Sequence, residues 1–273
     1  MSSRRKFFAI LLACIICFGG ALLFLKHNYE IRHRTKKAPS PIVITTLPKS
    51  GSMSIVKSLS RFFHIPQMQF ATLGFLDGKI EEIPFAEFVK KRAISQQHLP
   101  PLPANMERLE RSVKKMVLHV RDPREALLSW VHHVDKLKEG NVTHLLTNLP
   151  LDYFSWSFSE KIDWQIDLHY KEEIEWLLAW KAYIEAPHAI NILITRYEDL
   201  RDHPLDFFKN IVSFYGVNPK VFKEKYLPEC KPGFAHYRKG DSQEWRHTLT
   251  TEQQERVNNL LTPALLQFYG WEL

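Results

Sequence analysis

The sequence predicts an α/β fold, a central parallel sheet flanked by helices, behind one N-terminal transmembrane helix. Three observations carry that expectation. Short β-branched or apolar runs recur at Ile42–Thr46, Met116–Val120 and Ile190–Thr195. Segments with apolar residues at helical spacing lie between them, the mark of strands connected by crossover helices. Ahead of both stands an uncharged stretch long enough to cross a bilayer.

That stretch comes first. Phe7 to Leu25 is 19 consecutive residues without a charge, flanked by Arg4, Arg5 and Lys6 and by Lys26. As a helix it spans about 28 Å, close to the hydrocarbon thickness of a membrane. A cleaved signal peptide and a buried core helix are the alternatives. The run stays apolar through Leu22, Leu23, Phe24 and Leu25 with no A-x-A site, which favours an anchor. The Leu-Leu-Ala-Cys14 stretch resembles a lipoprotein cleavage site, but seven apolar residues precede that cysteine and eleven follow it. Orientation stays open. Five bases between Lys26 and Lys37 lean toward a globular part on the cytoplasmic side, whereas the sequon Asn141-Val142-Thr143 leans the other way.

Residues 26–41 are basic and polar and end in Pro39 and Pro41, a short stalk. The predicted organisation is therefore a basic tail at 1–6, an anchor at 7–25, the stalk at 26–41 and one catalytic domain at 42–273. A chain of 273 residues, 45% apolar and 25% charged, suits one medium-sized domain and excludes a disordered or collagen-like chain. The net charge of +7 is local: residues 1–37 hold eight bases and one acid, and the remainder holds 29 of each. A neutral globular part argues against nucleic acid as a partner. Cys14 and Cys17 lie in the apolar run, which leaves Cys230 alone and excludes a disulfide framework.

Within the domain, Ile42–Thr46 reads as a buried strand and Pro48-Lys49-Ser50-Gly51-Ser52 as a turn. A helix then carries Ile55, Val56, Leu59, Phe62 and Phe63. Met116–Val120 is a second strand, followed by a helix with Ala126, Leu127, Trp130, Val131 and Val134. A long helix over Glu172–Ala186 leads to a third strand at Ile190–Thr195. Helices near Leu205–Tyr215 and Thr251–Phe268 close the chain.

Four loops follow strands or carry clustered charge. The turn after the first strand aims backbone N–H groups and a helix N-terminus at an anion, with Lys49 as a mobile cation and Ser50, Ser52 and Ser54 as hydroxyl donors. It lacks the Walker A pattern. Arg121-Asp122-Pro123-Arg124 follows the second strand, with Ser129 eight residues after Arg121. A guanidinium at a strand's C-terminal end can grip a phosphate bidentately. The bland alternative makes Asp122 a helix cap, Pro123 the first helical residue and Arg121 a surface ion-pair partner. Tyr197-Glu198-Asp199-Leu200 follows the third strand. Arg238-Lys239-Gly240, with Trp245 beyond it, is either an anion clamp or a solvated basic turn.

Their order and spacing resemble the sulfotransferases that use 3′-phosphoadenosine-5′-phosphosulfate (PAPS), the cytosolic-type pattern above all, over about residues 42–270. The resemblance implies a single P-loop-NTPase-like domain with PAPS as co-substrate and no metal. Lys49, Ser50, Gly51, Ser52, Met53 and Ser54 match the family's 5′-phosphosulfate loop. Arg121 and Ser129 match its 3′-phosphate pair, Tyr197 its adenine contact, and Arg238, Lys239 and Gly240 its C-terminal 3′-phosphate loop. His98, in Gln-Gln-His-Leu-Pro-Pro-Leu-Pro, resembles the family's histidine and is implied to be the general base, with Lys49 stabilising the leaving phosphate. The implied acceptor is a hydroxylated small molecule, lipid or glycan, or an amine. With the anchor, this implies a single-pass membrane protein, of the Golgi (type II) in a eukaryote or the inner membrane in a bacterium.

The chain departs from the family pattern in three places. Ser52, Met53 and Ser54 replace two threonines and the tryptophan that stacks on adenine, Gln96 replaces a lysine, and Gln243-Glu244 replaces a Gly-Asp pair. Arg246, Thr250, Thr251 and Glu255 loosely follow the family's dimerisation motif, which implies a homodimer. The aromatic region 138–170 (Tyr153, Phe154, Trp156, Phe158, Trp164) fits either an acceptor-specific segment or core packing. The competing reading, motivated by Ser54 and Gln96, is an anchored nucleotide-binding or scaffold protein with weak or no catalysis.

Overall fold

The computed structural model describes residues 41–72, 74, 76–139, 149–228 and 243–272, all of them within the unit Pro39–Leu273. Its core is a sheet of β1 (Ile42–Thr46), β2 (Ile94–Gln97), β3 (Lys115–Val120) and β4 (Asn191–Arg196). All pairs are parallel, in the order β2-β1-β3-β4. Alternate side chains divide between two cores. Val43, Met116, Leu118 and Val120 pack with Trp176, Leu177 and Trp180. Ile42, Ile44 and Val117 pack with Ile55, Leu59, Phe62 and Phe208 on the other face. Burial on both faces is why β1 and β3 read as continuous apolar runs rather than as alternating ones.

Helices connect the strands: α1 (Ser52–Phe63), α2 (Glu82–Lys90), α3 (Pro103–Ser112), α4 (Pro123–Glu139), α5 (Phe158–Gln165), α6 (Lys171–Glu185), α7 (Tyr197–Asp202) and α8 (Pro204–Phe214). After them come α9 (Glu244–Thr248), α10 (Thr251–Leu260) and α11 (Pro263–Tyr269). The chain leaves β1 toward β2 and leaves β3 toward β4, in opposite directions along the sheet. The topological switch point therefore lies between β1 and β3, and the crevice at their carboxyl ends is where such sheets take ligands.

Three expectations need correction, and the surface alternative for Arg121 falls. β2 was not foreseen: Ile94-Ser95-Gln96-Gln97 is short and polar, yet fully buried, with Gln97 Nε2 donating to Ser95 Oγ and Gln69 Oε1 at 2.7 and 2.6 Å. The single helix over 251–268 is two. Thr262 precedes Pro263, is extended, and accepts the Leu265 amide, so it caps a new helix. Tyr197-Glu198-Asp199-Leu200 is not a loop but most of α7. Arg121 is not a surface residue; it is 7% exposed, although Asp122 does cap α4 by accepting the Arg124 amide at 2.9 Å.

Among the described residues no helix is long and apolar enough to cross a membrane. The apolar run 7–25, the basic tail and the stalk up to residue 40 lie outside them. So do the sequon at Asn141, Cys230, Arg238, Lys239 and Gly240. In the aromatic region, core packing describes Tyr153, which is wholly buried, packs on Phe154, Trp156 and Trp164 and receives the Gln165 amide at 3.2 Å.

Candidate active site

The loop from β1 into α1 carries two left-handed residues, Lys49 at φ 61° and Gly51 at φ 78°. That conformation is strained for lysine and typical of loops whose successive amides face an anion. Glycine is required at 51 for a second reason. A Cβ there would sit 3.3 Å from Cε2 of Tyr197 and 3.4 Å from Cδ2 of Leu200. Gly51 is also the N-cap of α1 and offers no side chain, so the amides of the first turn keep their affinity for negative charge. Ser50 departs from its expected role. Its hydroxyl is buried and donates to the Leu47 carbonyl at 2.7 Å, so it shapes the loop rather than facing the crevice. Ser52 is buried, Ser54 half-buried and Met53 exposed.

Arg121, at the end of β3, joins this loop to α7. Its Nη1 donates to the Lys49 carbonyl at 2.9 Å, and its guanidinium lies 4.2 Å over the Tyr197 ring. Glu125, one turn into α4, sits 3.6 Å from Nη2. The Asp122 amide donates to Glu198 at 3.2 Å, which ties the two strand ends together. Half-buried Lys49 is a weakened cation. Burial first, then Arg121 and Lys136, bring its pKa down to about 8. Ser129 is half-buried, two turns into α4 from Arg121.

His98 hangs from the same strand end. Its Nδ1 donates to the Thr46 carbonyl at 2.7 Å, which leaves Nε2 as the nitrogen with the lone pair. Gln96 Nε2 donates to that lone pair at 3.1 Å. Burial holds the imidazole below its usual pKa, against the upward pull of the bond to Thr46. The residue after it is clamped: the Leu99 carbonyl accepts Trp176 Nε1 at 2.9 Å, Trp180 Nε1 at 3.0 Å and Thr45 Oγ1 at 3.1 Å. Sequence reasoning passed over these three residues. The available signal was two tryptophans four apart on one face of α6, and the two threonines that end the apolar run of β1.

The Sulfotransferase domain family matches residues 39–268 of the chain. The chain is a member of that family. Among curated relatives, the cytosolic sulfotransferase 16 of Arabidopsis thaliana is 28% identical over 292 aligned residues, 90% of this chain and 80% of its own. The amine sulfotransferase of Oryctolagus cuniculus is 23% identical over 283, covering 90% and 86%. Among solved structures, the mouse sulfotransferase SULT7A1 complexed with PAP superimposes with a TM-score of 0.55 at 17% identity over 84% of each chain, which establishes the shared fold.

In this sulfotransferase, five of the residues singled out from sequence gather at one crevice. Lys49 and Gly51 touch Arg121 and Tyr197 directly, and His98 joins them through Thr46. Trp245 is buried against the guanidinium groups of Arg124 and Arg246, at 4.2 and 4.4 Å, and so holds α9 against α4.

Proposed function

We propose that this sulfotransferase moves a sulfuryl group from PAPS to a hydroxyl or amine acceptor, with His98 as general base and Lys49 beside the leaving phosphate. The observation that carries the reading is the shared scaffold of the two groups. Thr46 holds the His98 imidazole through its carbonyl, and Lys49 follows three residues later in a loop strained to present amides.

The residues fit such a donor. First-turn amides of α1 and the ammonium of Lys49 suit its 5′ end. Arg121, which keeps a buried Nε without a hydrogen-bond partner, suits its 3′-phosphate together with Ser129 and with Arg238, Lys239 and Gly240. Tyr197, beneath Arg121, is assigned to the adenine side. PAPS supplies an activated sulfur. His98 Nε2 takes the acceptor's proton as the acceptor's bond to sulfur forms and the bridging oxygen keeps the electrons of the bond that breaks. Lys49 neutralises charge on that oxygen; as in phosphoryl transfer, the protein's work is positioning and charge stabilisation. Nε2 gives up its bond from Gln96 when the acceptor enters.

The acceptor class proposed is a hydroxylated small molecule, lipid or glycan, or an amine. Residues 7–25 are proposed as a membrane anchor, with the tail at 1–6, the stalk at 26–41 and the catalytic domain at 42–273. The proposed setting is a Golgi or bacterial inner membrane, and a homodimer is proposed from Arg246, Thr250, Thr251 and Glu255. Labelled-sulfate transfer by the full chain tests the reading. Loss of about 10²–10⁴-fold in kcat on His98→Ala is expected. Unchanged activity in both His98→Ala and Lys49→Ala overturns the assigned roles. Tight PAP binding (PAP being 3′-phosphoadenosine-5′-phosphate) with no turnover on any acceptor favours the scaffold reading instead.

A further inference from the structure

His119 occupies an apolar position. It stands in β3 between Leu118 and Val120, pairs in register with Thr46 of β1 and Thr195 of β4, and is completely buried. Phe207 packs edge-on against its ring with centroids 5.5 Å apart. An aliphatic side chain would satisfy such a site, and an imidazole there is costly unless both nitrogens are bonded.

Both are. The Ser50 carbonyl, 2.8 Å from Nε2, can only accept, so Nε2 carries the proton. Nδ1 then holds the lone pair and accepts the Thr195 hydroxyl at 2.9 Å. The ring is neutral and its tautomer is set by these two partners. Burial depresses its pKa to about 4, outweighing the upward pull of Ser50, Asp199 and Thr195, so it stays neutral at any working pH.

The same residue holds the loop at its other end, because the His119 carbonyl accepts the Leu47 amide at 3.2 Å. One residue thus brackets the turn from Leu47 to Ser50. A trans peptide is planar, with its C=O and N–H pointing to opposite sides. A carbonyl of Ser50 drawn inward to the imidazole therefore turns the Gly51 N–H outward. Arg121 does the same to the preceding peptide by taking the Lys49 carbonyl, which turns the Ser50 N–H away from it.

We propose that His119, held by Thr195, is a positioning residue for donor binding: it orients the Ser50–Gly51 peptide so that the Gly51 N–H faces the 5′-phosphosulfate. The direction of the amide's partner rests on the function proposed above; the strut itself does not. None of the family's motifs in this chain includes either residue, and the pair bridges β3 and β4 beside the buried Thr46 of β1.

The test uses the full chain and three variants. His119→Leu removes both bonds, His119→Gln keeps an N–H donor at the reach of Nε2, and Thr195→Val frees the tautomer while keeping shape. Hydrogen exchange is read at Leu47 and at Ser54, whose amide donates to the Gly51 carbonyl at 3.0 Å. PAP affinity and the separate KM and kcat for PAPS are read alongside. His119→Leu is expected to speed exchange at both amides, weaken PAP on the order of five- to tenfold and raise KM with kcat nearly unchanged. His119→Gln restores both readouts, and Thr195→Val shows a smaller loss. Wild-type exchange and wild-type PAP affinity in His119→Leu overturn the proposal. Should His119→Leu fail to fold, the same result in Thr195→Val overturns it. A wild-type chain that ignores PAP removes the donor reading, and the exchange rates still decide whether the strut exists.

Discussion

The His98 imidazole donates from Nδ1 to the Thr46 carbonyl at 2.7 Å, so the last residue of β1 fixes which ring nitrogen faces outward. Because the lysine loop begins from that same residue, the proposed base and cation hang from one strand end.

The pH profile follows from the two titrations. In the proposed roles His98 must be neutral and Lys49 charged; burial keeps the His98 pKa below 6.5. Burial and Arg121 bring the Lys49 pKa to about 8. The profile of kcat/KM, which reports the free enzyme, is therefore bell-shaped, rising below 6.5 and falling from about 8. Lys49→Arg should carry the basic limb upward. A profile flat from pH 7 to 10 contradicts the lysine assignment.

Gln96 adds a finer test. Its amide donates to the neutral form of His98 at Nε2 and so disfavours protonation. Gln96→Leu should move the acid limb of kcat/KM upward. It should also leave PAP affinity, measured by calorimetry, near the wild-type value.

The indole pair separates the histidine from the donor. Trp176→Phe and Trp180→Phe each delete one donor to the Leu99 carbonyl while keeping a ring in the core. Each should destabilise the fold by about 1 kcal/mol or somewhat more. In the double variant kcat should fall while PAP affinity stays put. Equal losses in both would mean that the clamp does not act on His98 alone.

Most of the sheet was legible because β1, β3 and β4 are apolar runs next to turns with charge, and helix α1 declares itself through Ile55, Leu59 and Phe62. β2 was hidden because Ser95, Gln96 and Gln97 satisfy burial through side-chain hydrogen bonds, which leave no hydrophobic pattern. The convergence of Lys49, Gly51, Arg121 and Tyr197 was legible from their places just after strands. Their support was not. Thr45, Trp176 and Trp180 meet at one carbonyl from elements 54 to 81 residues away, and His119 sits in what reads as a plain apolar strand. Ser50 misled for a similar reason: a hydroxyl in a phosphate-type loop can as easily turn inward to a carbonyl.

Acid should weaken the fold through His119. The unfolded imidazole binds a proton near 6.5 while the buried one resists it until about 4, so the unfolded state holds more protons between those values. Stability is complete above 6.5 and lost as pH falls toward 4, by about 3 kcal/mol from this residue. Urea unfolding at pH 7 and pH 4.5 should show His119→Gln losing less stability on acidification than wild type.

Binding of PAP against adenosine 5′-phosphate, by calorimetry on the full chain, bears most directly on whether this crevice holds a nucleotide anionic at both ends. The added 3′-phosphate should tighten binding on the order of tenfold or more through Arg121, and Arg121→Lys should surrender most of that margin. Equal affinity for the two nucleotides, or a margin untouched by Arg121→Lys, contradicts the account.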